Sequence, residues 1–589
     1  MTQVATMLLI QISAISATAL NLPTVNLPLP TLSSDVRVID PRCEYLCDPL
    51  GIDVVQPRLS WKLQSAWRGQ KQTAYQILVA SSEELLRNNR ADLWDTGKVT
   101  SDQSIQVAYA GRPLTSRTRC FWKVRVWDRD DKSSPFSDIA TWEMGLLEPN
   151  DWQGKWITAP NTDGEGMPPA PIFRKTFVLS KPVRQARLYI CGLGYYEAHL
   201  NGRKVGDHVL DPAFTRYDRR ALYAAYDVTG QLKTEFNAVA VLLGNGWYDM
   251  DAQAAWDFNK AAWRARPTLR CQLEVTFADG SVRTITSDET WRVAPSPITF
   301  NCIRQGETYD ARREIAGWNT ADVGDADWSL AKIGPGPKGT PSAQMMPPIK
   351  VMQTLKPAKV TEPKPGVYVF DLGQNIAGWA RLKVSGPAGA KVVVQYAERL
   401  SDDGTIDQKD IAVHTKSTPF QTDTYILKGE GTETWEPRFV YHGFQYVQVT
   451  GLPGKPDADA IQGRIVHTAF DQTGLFECSN DLFNKIQRCT LWAYVGNFHG
   501  YPTDCPHREK NGWTGDAHLA AELGLYNFDA AAAYTKWMTD LKDEQRDSGE
   551  LPGIVPTAGW GYAWGNGPAW DSAYVLIPWY LYQYRDDTR

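Results

Sequence analysis

At 589 residues and 65.9 kDa the chain is too long for one hydrophobic core, and roughly 150 residues per domain predicts about four domains. Hydrophobic residues make up 43%, which excludes a disordered chain, and a formal net charge of −5 with no long Lys/Arg run excludes the footprint of a nucleic-acid binder. Nine scattered Cys form neither a disulfide framework nor a paired CxxC zinc motif, and eight His include no HExxH spacing, so no metal or cofactor is expected. A calcium ion held by loop oxygens would leave no such mark.

In chain order, Val4 to Ile15 is apolar and precedes Ala17-Thr18-Ala19, a small-x-small pattern suited to signal peptidase. Residues 1–20 are therefore read as a signal peptide and the protein as secreted or periplasmic, although no Lys or Arg precedes the run. No later segment has the ~18 consecutive apolar residues of a membrane span. Asn21 to Ser34 is rich in Pro and Ser and reads as an extended linker. The segments 58–63, 73–80 and 119–127 cluster β-branched and aromatic residues between turn signals, which predicts a fibronectin type III-like β-sandwich over 36–147. Strand patterns continue at 187–191, 195–200, 238–243, 269–276 and 290–294, with hairpin signals at Asn201-Gly202 and Asp279-Gly280. They predict a second sandwich, of jelly-roll type, over 150–347. Its loops Gly244–Tyr248 and Gly306–Asp310 are the most compatible with sugar, and equally with tight turns capped by core aromatics. Strands at 368–372, 380–384, 391–396 and 445–450 predict a third β-sandwich over 348–470. The 23 Trp and 25 Tyr are credited mostly to these cores.

The hydrophobic period then changes. From Asp481 the apolar residues Leu482, Phe483, Ile486, Cys489, Trp492 and Val495 recur three and four apart, which predicts a helix capped by Ser479 or Asn480. Further helices are predicted after Asp516, from about Asp529 to Arg546 with a stop at Ser548-Gly549, and from near Asp571.

Between the first two helices, residues 501–516 read YPTDCPHREKNGWTGD. Asp504, Glu509 and Asp516 supply carboxylates, Arg508 a guanidinium and Trp513 an indole, while Pro502, Pro506, Gly512 and Gly515 interrupt regular structure. Glycosidic bonds are cleaved by carboxyl groups working as acid and base around an oxocarbenium-like transition state, with indoles and charged partners holding the sugar. Clustered carboxylates also raise one another's pKa, which keeps one protonated near neutrality, and an Arg508–Glu509 pair would oppose that. A solvated turn with Arg508 paired to one acid is the plainer alternative.

Asp504-Cys-Pro-His-Arg-Glu-Lys510 followed by Gly512-Trp-Thr-Gly-Asp516 resembles the active-site signature of the bacterial inverting α-L-rhamnosidases, glycoside hydrolase family 78. The resemblance extends to Pro57–Trp61, Asn201-Gly202, Gly306–Arg312, Asp371–Asn375 and Trp570-Asp571. It implies three all-β sandwich domains, the second a rhamnosidase N-terminal domain and the third concanavalin-like, followed over 476–589 by the beginning of an all-α (α/α)6 barrel. It implies that Glu509 is the general acid and that Asp504, Arg508, Trp513, Asp516, Trp570 and Asp571 bind substrate. The catalytic base is expected beyond Arg589. Because such a barrel needs about twelve helices of ~12 residues, the chain is read as a truncated member. The implied function is hydrolysis of terminal non-reducing α-L-rhamnose from polysaccharides or glycosides. A non-catalytic carbohydrate-binding protein built from the β domains is the alternative, and the sequence leaves linkage, aglycone and oligomeric state open.

Overall fold

The computed structural model describes residues 34–160, 167–563 and 567–589, so the segment read as a signal peptide lies outside the described residues. In the first β unit a three-stranded sheet containing Arg37–Cys43 and Arg58–Gln64 packs against a six-stranded sheet containing Ala74–Ala80 and Arg119–Trp127. Period-2 alternation turns Ile77, Val79, Trp122, Val124 and Trp142 inward, where all are fully buried. A one-turn helix, α1 (Glu83–Arg87), is capped by the Ser82 side chain and packs on the larger sheet.

The second unit is a sandwich of a seven-stranded and a six-stranded sheet. Ile190, Val241, Leu243, Leu273 and Trp291 fill the space between them. Asn201 and Gly202 both take positive φ, 52° and 83°, and close the hairpin between Tyr195–Leu200 and Arg203–Lys204 as their sequence predicts.

The third unit is one ten-stranded sheet. Its 19-residue strand Val367–Ser385 changes partners along its length, pairing first with Lys359–Lys364 and His442–Thr450 and then with Ile461–Thr468 and Thr432–Trp435. The span 150–347 contributes strands to two of these units. The hairpin Ile298–Cys302/Gly306–Asp310 leaves the second unit, and its second strand runs parallel to Thr422–Ile426 of the third. Gly306 permits this: its φ is +135°, and a Cβ there would lie 1.9 Å from the Thr422 carbonyl oxygen. The sugar-compatible loops are buried as well, with Trp247 at 1%, Tyr248 at 2% and Glu307 at 0% exposure, so they are core turns and strand, not sugar surfaces.

The helical region contains α2 (Asp481–Gly496), α3 (Thr514–Asn527), α4 (Ala531–Glu544), the short α5 (Trp560–Ala563) and α6 (Pro568–Asp571), and α7 (Ala573–Arg585). Asn480, not Ser479, caps α2 by accepting the Leu482 N–H. Helix α4 is the best anchored. Tyr534, Trp537 and Leu541 are buried, the Lys536 ammonium donates to the Phe214 carbonyl at 2.5 Å, and Arg220 pairs with Asp543 at 2.9 Å, tying the helix to the second unit. The segment after α7 reaches back to the first unit, where Asp587 accepts from Tyr45 and Arg58, both at 2.6 Å. One apolar core runs from Leu146 through the second and third units into α7, and the candidate site sits on it. By contrast Leu482, Phe483 and Ile486 on α2, Leu519 on α3 and Val575 and Trp579 on α7 are more than half exposed, Leu519 at 79%.

Candidate active site

The motif loop runs from the end of α2 into the first turn of α3 and is tied to itself. The Asn511 N–H donates to Asp504 Oδ1 at 2.9 Å, and the Asp504 N–H donates to the Asn511 carbonyl at 3.0 Å. Two buried cations hold its main chain. Lys510, 0% exposed, sends its ammonium to the carbonyls of Pro506 at 2.8 Å and His507 at 2.5 Å, and burial pushes its pKa down to about 7. Arg304, also 0% exposed, donates to the Glu509 carbonyl at 2.8 Å and to Asn511 Oδ1 at 2.8 Å. The rings of Trp247, Trp256 and Phe258 surround its guanidinium at 5.0–5.1 Å, which offsets part of the desolvation of that charge. Arg304 comes from the tip of the migrating hairpin, and nothing in its flanking sequence marked it.

On this frame Glu509 is nearly buried, 9% exposed, and its Oε2 accepts the indole N–H of Trp513 at 2.8 Å. Arg508 lies 3.4 Å from Glu509 Oε1, so the expected pair forms but at a loose distance. The upward pKa shift expected of the carboxylate cluster falls on Asp504, which burial and then the Glu509 charge raise to about 7. Burial and the same Glu509 charge also raise Asp516. Asp516 is exposed on the first turn of α3, so the motif's last residues are helical, not loop.

Trp513, Trp560 and Trp570 form an edge-to-face cluster, with Trp513 at 6.1 Å from Trp560 and 6.4 Å from Trp570. Trp560 escaped the sequence reading. Trp570 packs onto Gly515, where a Cβ would fall 2.9 Å from the Trp570 ring nitrogen. His518 of α3 lies 2.8 Å from the Ala569 carbonyl and links α3 to α6. Asp571, at the end of α6, is exposed and makes no side-chain hydrogen bond among the described residues. The structure thus joins Asp504, Arg508, Glu509, Trp513 and Trp570 through direct contacts or shared charge, brings Asp516 within the field of Glu509, and leaves Asp571 at the rim. A half-neutral carboxyl, a nearly buried carboxyl oriented by an indole, and flanking aromatic faces can donate a proton to a bound sugar and hold its ring. A cleft of about 600 Å³ opens next to Asp504, between α2 and the third sheet.

Four family models match consecutive stretches of the chain. They are a Rha78A-like N-terminal immunoglobulin domain over 38–148, an alpha-L-rhamnosidase N-terminal domain over 181–353, a bacterial alpha-L-rhamnosidase concanavalin-like domain over 361–467, and a bacterial alpha-L-rhamnosidase 6 hairpin glycosidase domain over 471–589. The first is of immunoglobulin type, where the strand spacing predicts fibronectin type III. An alpha-L-rhamnosidase of Formosa agariphila is 40% identical over 92% of this chain and 60% of its own length. One of Streptomyces avermitilis is 35% identical over 93% of this chain and 69% of its own. The chain therefore spans 60% to 69% of the length of these relatives. Among solved structures, the alpha-L-rhamnosidase from Dictyoglumus thermophilum superposes with a TM-score of 0.87 at 41% identity, covering 94% of this chain and 63% of that one. The Streptomyces avermitilis alpha-L-rhamnosidase, solved in complex with L-rhamnose, gives 0.87 at 34% identity and covers 93% and 68%.

Proposed function

Since the chain belongs to the bacterial α-L-rhamnosidases of glycoside hydrolase family 78, we propose that it takes part in inverting hydrolysis of terminal α-L-rhamnose from polysaccharides or glycosides. Glu509 protonates the leaving oxygen. Asp504, Asp516, Arg508 and Asp571 bond the rhamnose hydroxyls, and Trp513 and Trp570 face the ring. In this reading α2 to α7 open an (α/α)6 barrel, and no residue of the motif serves as the water-activating base.

One observation carries the proposal. Glu509 is the motif carboxyl whose surroundings are built around it: its side chain bonded by Trp513, its carbonyl gripped by Arg304, and a second carboxyl of raised pKa near it. Catalysis needs such pre-set placement, because misplacement by about 1 Å costs on the order of 10²-fold.

The test is Glu509→Gln in an enzyme that carries the complete barrel, assayed on two rhamnosides. With an alkyl rhamnoside, whose leaving group needs a proton, kcat is expected to fall by about 10²–10⁴. With 4-nitrophenyl α-L-rhamnoside the loss is expected to be far smaller, and equal losses on both substrates would reject the role. Export is proposed on the same footing: protein from its native host is expected to begin at Leu20, and intact Met1 in the cytosol would overturn this.

A further inference from the structure

The cleft beside Asp504 touches neither Glu509 nor Trp513 nor Asp516, and apart from Asp504 its lining has no task in the chemistry above. Its walls are unlike each other. On the third-sheet side Glu398 Oε1 accepts the Asn375 amide at 2.9 Å, and His507 Nε2 lies 3.6 Å from Glu398 Oε2. Burial holds that imidazole's pKa down to about 4, so at neutral pH it adds no positive charge to this wall, and the Glu398 oxygens face the cleft as hydrogen-bond acceptors. On the other side α2 contributes Lys485, Arg488 and the indole of Trp492. The Lys485 ammonium shares its charge with Asp481 at 3.2 Å. Arg488 is exposed, and its guanidinium makes no ion pair or hydrogen bond among the described residues.

A neutral sugar would satisfy Glu398 and Asn375 and leave Arg488 as it stands in water. A sugar bearing a carboxylate would meet both walls, because guanidinium and carboxylate match as a two-bond fork. About 600 Å³ is within the usual range for a ligand site and admits more than a single ring atom cluster. Asp504 belongs both to this cleft and to the residues expected to hold rhamnose, so the two spaces adjoin.

We propose that this cleft is the subsite for the sugar next to the rhamnose, and that this sugar is a uronic acid, with its carboxylate on Arg488, its ring against Trp492 and its hydroxyls on Glu398 and Asn375. The inference rests on the rhamnosidase reading for the neighbouring position and adds the class of the leaving group.

The test is calorimetric titration with a rhamnosyl-glucuronate disaccharide and with its methyl ester, which removes the charge and little else. Glu509→Gln protein is used so that turnover does not deplete the ligand. The acid is expected to bind about five-fold more tightly than the ester, the size of a partly exposed charge pair. Arg488→Gln is expected to bring the acid down to the ester's affinity. Equal affinities of acid and ester in protein that retains Arg488, or a preference for the acid that survives Arg488→Gln, would overturn the proposal. Failure of an enzyme with the complete barrel to release 4-nitrophenol from the aryl rhamnoside would count against the rhamnosidase reading alone, since the titration compares acid and ester without turnover.

Discussion

Arg304 and Lys510 fix the loop that carries Glu509, and both act on main-chain carbonyls. Replacing Arg304 by Met keeps much of its volume inside the ring cage but leaves the Glu509 carbonyl and the Asn511 amide oxygen without this donor, at about 1–3 kcal/mol for each buried acceptor left unpaired. The variant is expected to melt several degrees lower, by about 2–4 °C per kcal/mol for a large domain, and to lose kcat more than KM. A kcat held at the wild-type value despite the lower melting point would reject the positioning role. Asp504 gives a prediction with a definite sign. Its folded pKa of about 7 lies above the ordinary 3.8, so the folded state holds the proton more tightly than the unfolded one. Its contribution to stability is therefore most favourable below about pH 4 and is lost as pH climbs from about 4 to about 7. Asp504→Asn keeps an acceptor for the Asn511 N–H and removes the ionisation, so the variant is expected to gain on the wild type between about pH 5 and pH 8. A melting-point difference that does not change with pH would sink the assignment. Asp504, Glu509, Trp513 and Asp516 were legible because they share one short stretch. Arg304 was not, because it acts across 205 residues on a backbone carbonyl, and a carbonyl leaves no trace in the side-chain alphabet.

Elements show the same division between local and distant causes. Helix α2 and its Asn480 cap followed from a local period and a local acceptor, and the two positive-φ residues Asn201 and Gly202 specified their own hairpin. The sheet to which Ile298–Asp310 belongs was not legible, since alternation looks alike in any sheet and the partner strand Thr422–Ile426 lies more than a hundred residues on. Likewise the loop-breaking glycine of the motif, Gly515, is a helical residue of α3, retained where the Trp570 indole crosses it. Ala is a better helix former than Gly by about 1 kcal/mol, so Gly515→Ala is expected to leave the fold intact or slightly steadier. The added methyl must displace Trp570 by a few tenths of an ångström or more, since 2.9 Å is too short for such a contact. If Trp570 faces the sugar, rhamnose affinity falls several-fold while melting is unchanged or higher. Unaltered affinity would remove Trp570 from the binding set.

At the scale of the whole molecule, helix stability depends on what each helix packs against. From the sequence, all the helices after Asn480 are equally short of partners. The structure separates them. Helix α4 lies in the shared core, with Ala531, Ala533, Tyr534 and Trp537 at 0% exposure and Lys536, Asp543 and Glu544 bound to the second unit. The start of α2 has only one side of its apolar period covered: Leu482, Phe483 and Ile486 are 53–60% exposed, and burial begins at Tyr494 and Val495. The Arg58–Asp587–Tyr45 contacts place the end of α7 against the first unit, so that helix has an anchor that α2's first turns do not. Amide exchange follows the free energy of local opening, which rises with buried apolar contact and falls with exposed backbone hydrogen bonds. Amides of the first two turns of α2 are therefore expected to exchange roughly 100-fold faster than those at the centre of α4. Mass-spectrometric exchange on the chain, resolved to peptides covering 481–488 and 533–541, measures the ratio. Equal protection in the two peptides would mean that something besides the contacts described here covers the outer face of α2.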